Sequence, residues 1–98
     1  MSDRIAELLL TEAAREKLGR REISVEEVQQ LLDNRYVFMR AGRARRSSGK
    51  LPARRLVVGQ TDGGRSLTLV VERTIEPTTW VVVTGWEATR AERRLLDS

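Results

Sequence analysis

The chain contains no cysteine and no histidine. Disulfide scaffolds, thiolate chemistry, zinc fingers and every histidine-based triad or metal site are thereby excluded. Aromatic residues are scarce, at one tyrosine, one phenylalanine and two tryptophans, and there are only two prolines. No apolar run approaches the roughly 18 residues of a membrane span, and the amino end lacks a charged-then-apolar leader. The expectation is a soluble cytoplasmic protein with no cofactor, no metal and no membrane partner. Any catalysis falls to Lys, Arg, Glu, Asp, Tyr, Ser or Thr.

What is there is a short, highly charged chain. Its 98 residues are 40% hydrophobic and 33% charged, enough apolar material for one small domain over 1–98. The formal charge of +4 is unevenly placed: residues 1–39 carry −2, residues 40–73 carry +7 and residues 74–98 carry −1. Clustered cations create a local field that a mixed surface cancels, so the middle third is suited to a polyanion or an acidic protein.

The amino third reads as helical. Ile5, Leu8, Leu9 and Glu12 follow three- and four-residue steps, and good helix formers continue to Leu18 before Gly19 supplies a stop. The period favours a helix over residues 5–18. A short edge strand followed by a helix capped by Thr11 is the alternative. Ser24-Val25-Glu26-Glu27 is a capping box, with Ile23 and Val28 spaced as a hydrophobic staple, and opens a second helix over residues 25–32. Strands are expected at Tyr36–Arg40 and Arg54–Gln60, then at residues 65–73 after the turn Asp62-Gly63-Gly64, and at residues 80–84. Thr89-Arg90-Ala91-Glu92 is a second capping box and starts a closing helix. The fold class is therefore α+β: two N-terminal helices, an antiparallel sheet of three to four strands and a C-terminal helix.

The chemistry-bearing residues are mostly arginines. Residues 40–55 hold Arg40, Arg43, Arg45, Arg46, Lys50, Arg54 and Arg55 and no carboxylate. Of these, Arg43, Arg45, Arg46, Lys50, Arg54 and Arg55 are the candidate nucleic-acid contacts, able to neutralise phosphates and release counterions; the alternative is a solvated loop. Arg65 follows a rigid turn and can grip phosphate with its planar fork of donors, or else pair with Asp62 or Glu72. Lys17, Arg20 and Arg21 cluster where a helix end favours cations anyway. Metal-free RNA cleavage needs a base, donors for a pentacoordinate phosphorane and an acid. Arginine supplies the donors; the base would be Glu72, Glu87, a lysine or Tyr36. Trp80 reads as core and Trp86 as rim.

The succession Leu10-Thr11 with Lys17, then Ile23-Ser24-Val25-Glu26-Glu27-Val28, Asp33-Asn34, Gly59-Gln60-Thr61-Asp62-Gly63-Gly64-Arg65 and Ala88-Thr89-Arg90-Ala91-Glu92-Arg93 resembles the BrnT-type toxins of type II toxin–antitoxin systems. The resemblance implies a RelE-like fold and a metal-independent ribonuclease silenced by a cognate antitoxin. Carried over by position, it implies catalytic roles for Lys17, Arg65, Arg90 and Arg93. Two departures stand out. Arg21-Glu22 replaces a His-Gly pair before Ile-Ser, and Trp86-Glu87 replaces a pair of arginines. The functional expectation is a toxin-like ribonuclease with RNA and an antitoxin as partners. A non-catalytic nucleic-acid- or antitoxin-binding module is the runner-up, and a degenerate toxin kept as a structural subunit is a third reading.

Overall fold

The computed structural model describes residues 5–40 and 54–97, and Arg43, Arg45, Arg46 and Lys50 lie outside them. The first element is a strand, β1 (Glu7–Leu10), where the three- and four-residue spacing favours a helix. It pairs in parallel with β5 (Thr79–Glu87), Leu8 opposite Trp80 and Leu10 opposite Val82. Two physical facts decide this. Leu8 is buried while Leu9 is 42% exposed, the alternation of a strand. Thr11 then accepts the Ala14 N–H at 3.0 Å and caps α1 (Glu12–Arg20), so the helix starts at the threonine.

Helix α1 ends at Arg20, one residue past the Gly19 stop. The Ile23 N–H donates to the Leu18 carbonyl and the Glu22 N–H to the Gly19 carbonyl, both at 2.9 Å, the paired bonds of a Schellman ending. The left-handed position falls on Glu22 (φ 60°) rather than on a glycine. Such a conformation costs a residue with a Cβ about 1–2 kcal/mol. Leu18 and Ile23 bury together across this corner. Helix α2 (Val25–Asp33) follows with both reciprocal bonds of its capping box, Glu27 N–H to Ser24 Oγ at 3.1 Å and Ser24 N–H to Glu27 Oε1 at 3.0 Å.

The sheet has five strands in the order β1-β5-β4-β3-β2, with β2 (Tyr36–Arg40), β3 (Arg54–Gln60) and β4 (Ser66–Arg73). All neighbours are antiparallel except β1 and β5. Five strands replace the expected three to four, because the amino-terminal run joins the sheet. A register shift leaves Val83 as an extra residue on β5, between the pairs Val71–Val82 and Val70–Thr84.

Both helices of the corner pack on one face of the sheet. Val57, Leu67, Leu69, Val71, Trp80 and Val82 point into this core, together with Leu8, Leu18, Val28 and Leu31. The approach is close: a Cβ on Gly59 would lie 2.8 Å from Leu31 Cγ, and one on Gly85 would meet Leu69 Cδ2 at 2.7 Å and the Thr68 carbonyl at 2.9 Å. On the opposite face, α3 (Arg90–Leu96) covers a smaller cluster of Val58, Ala88 and Leu96, with Val37 and Leu95 beside it. No helix among the described residues is long and apolar enough to cross a membrane.

Candidate nucleic-acid interface

Strand direction divides the functional candidates between two ends of the sheet. One end holds the α1–α2 corner, the turn from β3 to β4, the close of β5 and the start of α3. The other holds the close of β2, the opening of β3, the close of β4 and the opening of β5. Along the seven residues of β3 the two are about 20 Å apart.

At the corner end, α2 fixes the turn. Gln30 Oε1 accepts the Asp62 N–H at 2.9 Å, and Asn34 Nδ2 donates to Asp62 Oδ1 at 2.9 Å and to the Gln60 carbonyl at 3.1 Å. Thr61 is buried and closes the loop, its carbonyl accepting from Gly64 N–H and its hydroxyl oxygen from Arg65 N–H. Gly64 has the positive φ of 88° that the turn requires.

So placed, Arg65 turns back against α2. Its Nη1 donates to the Glu22 carbonyl at 2.8 Å and to Glu27 Oε1 and Oε2 at 3.0 and 3.2 Å, and its Nη2 reaches the Arg21 carbonyl at 3.4 Å. Nε lies 3.6 Å from Glu87 Oε2. The partners are therefore Glu27 and Glu87, and not the Asp62 or Glu72 that sit closer in sequence; Glu72 instead pairs with Arg54 at 2.7 Å. The Arg65 side chain is only 27% exposed. The Ser24 backbone N–H holds the Glu27 carboxyl below the ordinary glutamate range against its partial burial, and Arg65 reinforces it.

The other predicted catalytic residues surround this junction without joining it. Lys17 is exposed on the last turn of α1. Arg21 reaches across from the corner, its Nη1 donating to the Gly85 carbonyl at 3.0 Å and to Thr84 Oγ1 at 3.4 Å. Arg90 is exposed at the first turn of α3, and Arg93 donates to the Ala88 carbonyl at 3.1 Å. Two Glu92 bonds hold α3 down on the sheet: its Oε1 accepts from buried Thr68 Oγ1 at 2.9 Å and Trp86 Nε1 at 3.1 Å, besides the Thr89 N–H of its own cap at 2.8 Å. Burial pushes the Glu92 carboxyl up, but the bonds from Thr89, Thr68 and Trp86 outweigh it and leave it below the ordinary range. Trp86 is thus a half-buried rim residue committed to α3.

The basic end is built differently. Trp80 is fully buried, Phe38 meets it edge-on with centroids 5.0 Å apart, and two guanidiniums ride over its ring, Arg73 at 5.4 Å and Arg55 at 5.9 Å. The register dictates this. Phe38 pairs with Val57, Arg55 with Val71 and Arg73 with Trp80, so alternation sends all four side chains to the helix-covered face. The ring's negative face attracts the cations and orients them at a small cost in freedom. The buried Trp80 Nε1 has no hydrogen-bond acceptor, and neither guanidinium can supply one. On the opposite face Arg54 is 52% exposed beside Glu72.

Sequence reasoning names Arg54 and Arg55 for this end but misses Arg73. Its place becomes visible only once β4 is registered against β5. Likewise the charge cluster at Lys17, Arg20 and Arg21 is explained by the helix end alone, and the reach of Arg21 to β5 has no local signal. No family model matches the chain, and no curated protein is significantly similar to it.

Proposed function

We propose that the chain is a nucleic-acid-binding module that takes single-stranded RNA at the basic end of its sheet. The observation that carries this is the pair Arg55 and Arg73 mounted on Trp80, at the end of the sheet where β2 stops and β3 begins. Between those two strands the sequence has Arg43, Arg45, Arg46 and Lys50 and no carboxylate. A rigid ring orients the two guanidiniums, which lowers the ordering cost of bringing their charge to a phosphate chain. Arg65 directs its donors at Glu27 and two carbonyls of the α1–α2 corner.

Fluorescence anisotropy with a labelled 20-nucleotide RNA tests this reading. For five phosphate contacts, affinity drops about a hundredfold between 50 and 200 mM salt. Replacing Arg45 and Arg46 with Gln flattens that slope, while Arg90→Gln leaves it alone. Salt-independent binding, or none, contradicts the assignment.

A second reading, a toxin-like ribonuclease of the BrnT type with a RelE-like fold and a cognate antitoxin, is favoured by a different observation. Arg21, Arg65, Arg93 and Glu87 all lie at the corner end, around the close of β5. There Glu87 is 65% exposed, within reach as a base for a bound 2′-hydroxyl, with guanidiniums beside it for phosphorane charge. Incubating the protein with cellular RNA in excess chelator separates the readings. Cleavage lost in Glu87→Gln supports the ribonuclease. Intact RNA, with harmless induced expression in a host lacking any antitoxin, eliminates it. On both readings the proposed place of action is the cytoplasm.

A further inference from the structure

The two edges of the sheet are finished differently. At one edge β1 is only four residues long, and Gln29 of α2 donates to its Leu8 carbonyl at 3.0 Å. At the other, among the described residues, β2 bonds to β3 alone and ends the sheet. An edge strand carries a row of outward N–H and C=O groups that templates a further strand, and natural edges are blunted by proline, lysine, a bulge or an inward charge. From Tyr36 to Met39 β2 has none of these, and its register with β3 runs unbroken. Side-chain burial records the missing neighbour. In β3, flanked on both sides, Val57 and Val58 are fully buried, whereas in β2, flanked on one, Tyr36, Val37, Phe38 and Met39 are all half-buried. Tyr36 and Phe38 lean on the core under α1 and α2, and Val37 on the cluster under α3. The deficit therefore lies on both faces of the strand, and an added strand is what covers both.

The sequence of β2 matches itself. Two identical antiparallel strands pair about a two-fold axis that passes through one residue, because outward-facing backbone groups alternate along each strand. With the axis at Phe38, all five residues of β2 find partners: Tyr36 opposite Arg40, Val37 opposite Met39 and Phe38 opposite its own copy. Moving the axis to Val37 or to Met39 leaves three. The Phe38 register also sets no like charges against each other, although the chain carries +4 overall, and it keeps Val37 and Met39 on one face. We propose that two copies of the chain join edge to edge and antiparallel through β2, fusing their five-stranded sheets into one. The seam is short, about 17 Å, so the dimer is weak and reversible. Antiparallel pairing points the two basic ends in opposite directions, and the dimer stands or falls independently of RNA binding.

Sedimentation velocity of ribonuclease-treated protein from 5 to 500 μM, at 150 mM salt, tests it. The mass rises with concentration from that of one 11.2 kDa chain toward that of two. Because the chain has no cysteine, single introduced ones report the register. Val37→Cys and Met39→Cys chains, mixed and oxidised with diamide, give a disulfide between positions 37 and 39 in at least about tenfold excess over 37–37 or 39–39, resolved by intact mass. Directly opposed Cα atoms lie about 4.5–5.5 Å apart and diagonal ones about 7–8 Å, beyond the reach of a disulfide. Both substitutions place a small apolar side chain on the strand, and a thermal melt of each variant verifies the fold. A monomer at every concentration overturns the proposal, as do crosslinks without preference for the 37–39 pair. Association seen only before ribonuclease treatment overturns it in favour of bridging by RNA.

Discussion

The two ends of the sheet use arginine in opposite ways. At the corner end Arg65 reaches backbone carbonyls of the α1–α2 corner and two carboxylates, so its charge is consumed in joining α2, the β3–β4 turn and β5. At the basic end Arg55 and Arg73 lie on an aromatic ring, whose π face orients the guanidiniums. The difference teaches that an arginine's position in a motif does not reveal its occupation. What decides is whether the fold brings a carboxylate or a π face to it.

The largest expected effect breaks the corner end. Arg65→Gln strands the Glu27 carboxylate and the Glu22 carbonyl, and charged hydrogen bonds of this kind are worth about 2–3 kcal/mol. Chemical denaturation shows that loss as a lower midpoint at constant slope, while RNA affinity is retained. Arg54→Gln, the exposed counterpart across the molecule, costs under about 1 kcal/mol because its pair with Glu72 is screened by water.

Relief of the strain at Glu22 acts in the opposite direction. Its carbonyl is held by Arg65 while its φ of 60° suits a glycine. Glu22→Gly relieves the left-handed penalty and returns about 0.5–1 kcal/mol after the added chain entropy, a rise of about 3–6 °C in Tm for a chain of this size. An unchanged or lower Tm would mean that the corner, and not the side chain, sets the conformation's cost.

Acid sharpens the same contrast. Glu27 and Glu92 both ionise more readily in the folded chain. Their contribution is complete above the ordinary glutamate pKa of about 4.5 and disappears as pH falls through their lower folded values. Stability measured from pH 7 to pH 3 therefore declines below about pH 4.5. Glu92→Gln costs about 1 kcal/mol at pH 7 and makes that decline shallower. The smallest effect is Arg73→Gln on stability, about 0.5 kcal/mol for one exposed cation over Trp80.

Local chemistry was readable in the sequence wherever the partners lie within a turn of each other. The capping boxes at Ser24–Glu27 and Thr89–Glu92 form both of their reciprocal bonds, and β2 and β3 have the expected bounds, since β-branched runs flanked by turn residues are local signals. What escaped was set at long range. Residues 7–10 join a strand some 70 positions away, and a six-residue apolar run carries no mark of that partner. The Arg65 partner Glu27 is 38 residues distant, whereas nearby Asp62 is taken by Asn34 and Gln30. Of the candidate site, Lys17, Arg65, Arg90 and Arg93 gather around one end of the sheet, yet only register shows that Arg54 and Arg55 stand at the other.

The division of labour between the ends rests most directly on one comparison: RNA affinity of Arg65→Gln against that of the double variant Arg55→Gln and Arg73→Gln, in the same buffer at 100 mM salt. The account predicts that Arg65→Gln binds within about twofold of the unaltered chain and that the double variant binds about tenfold more weakly, the cost of two phosphate contacts. A weakened Arg65→Gln beside an unaffected double variant would contradict it and move the RNA to the corner end.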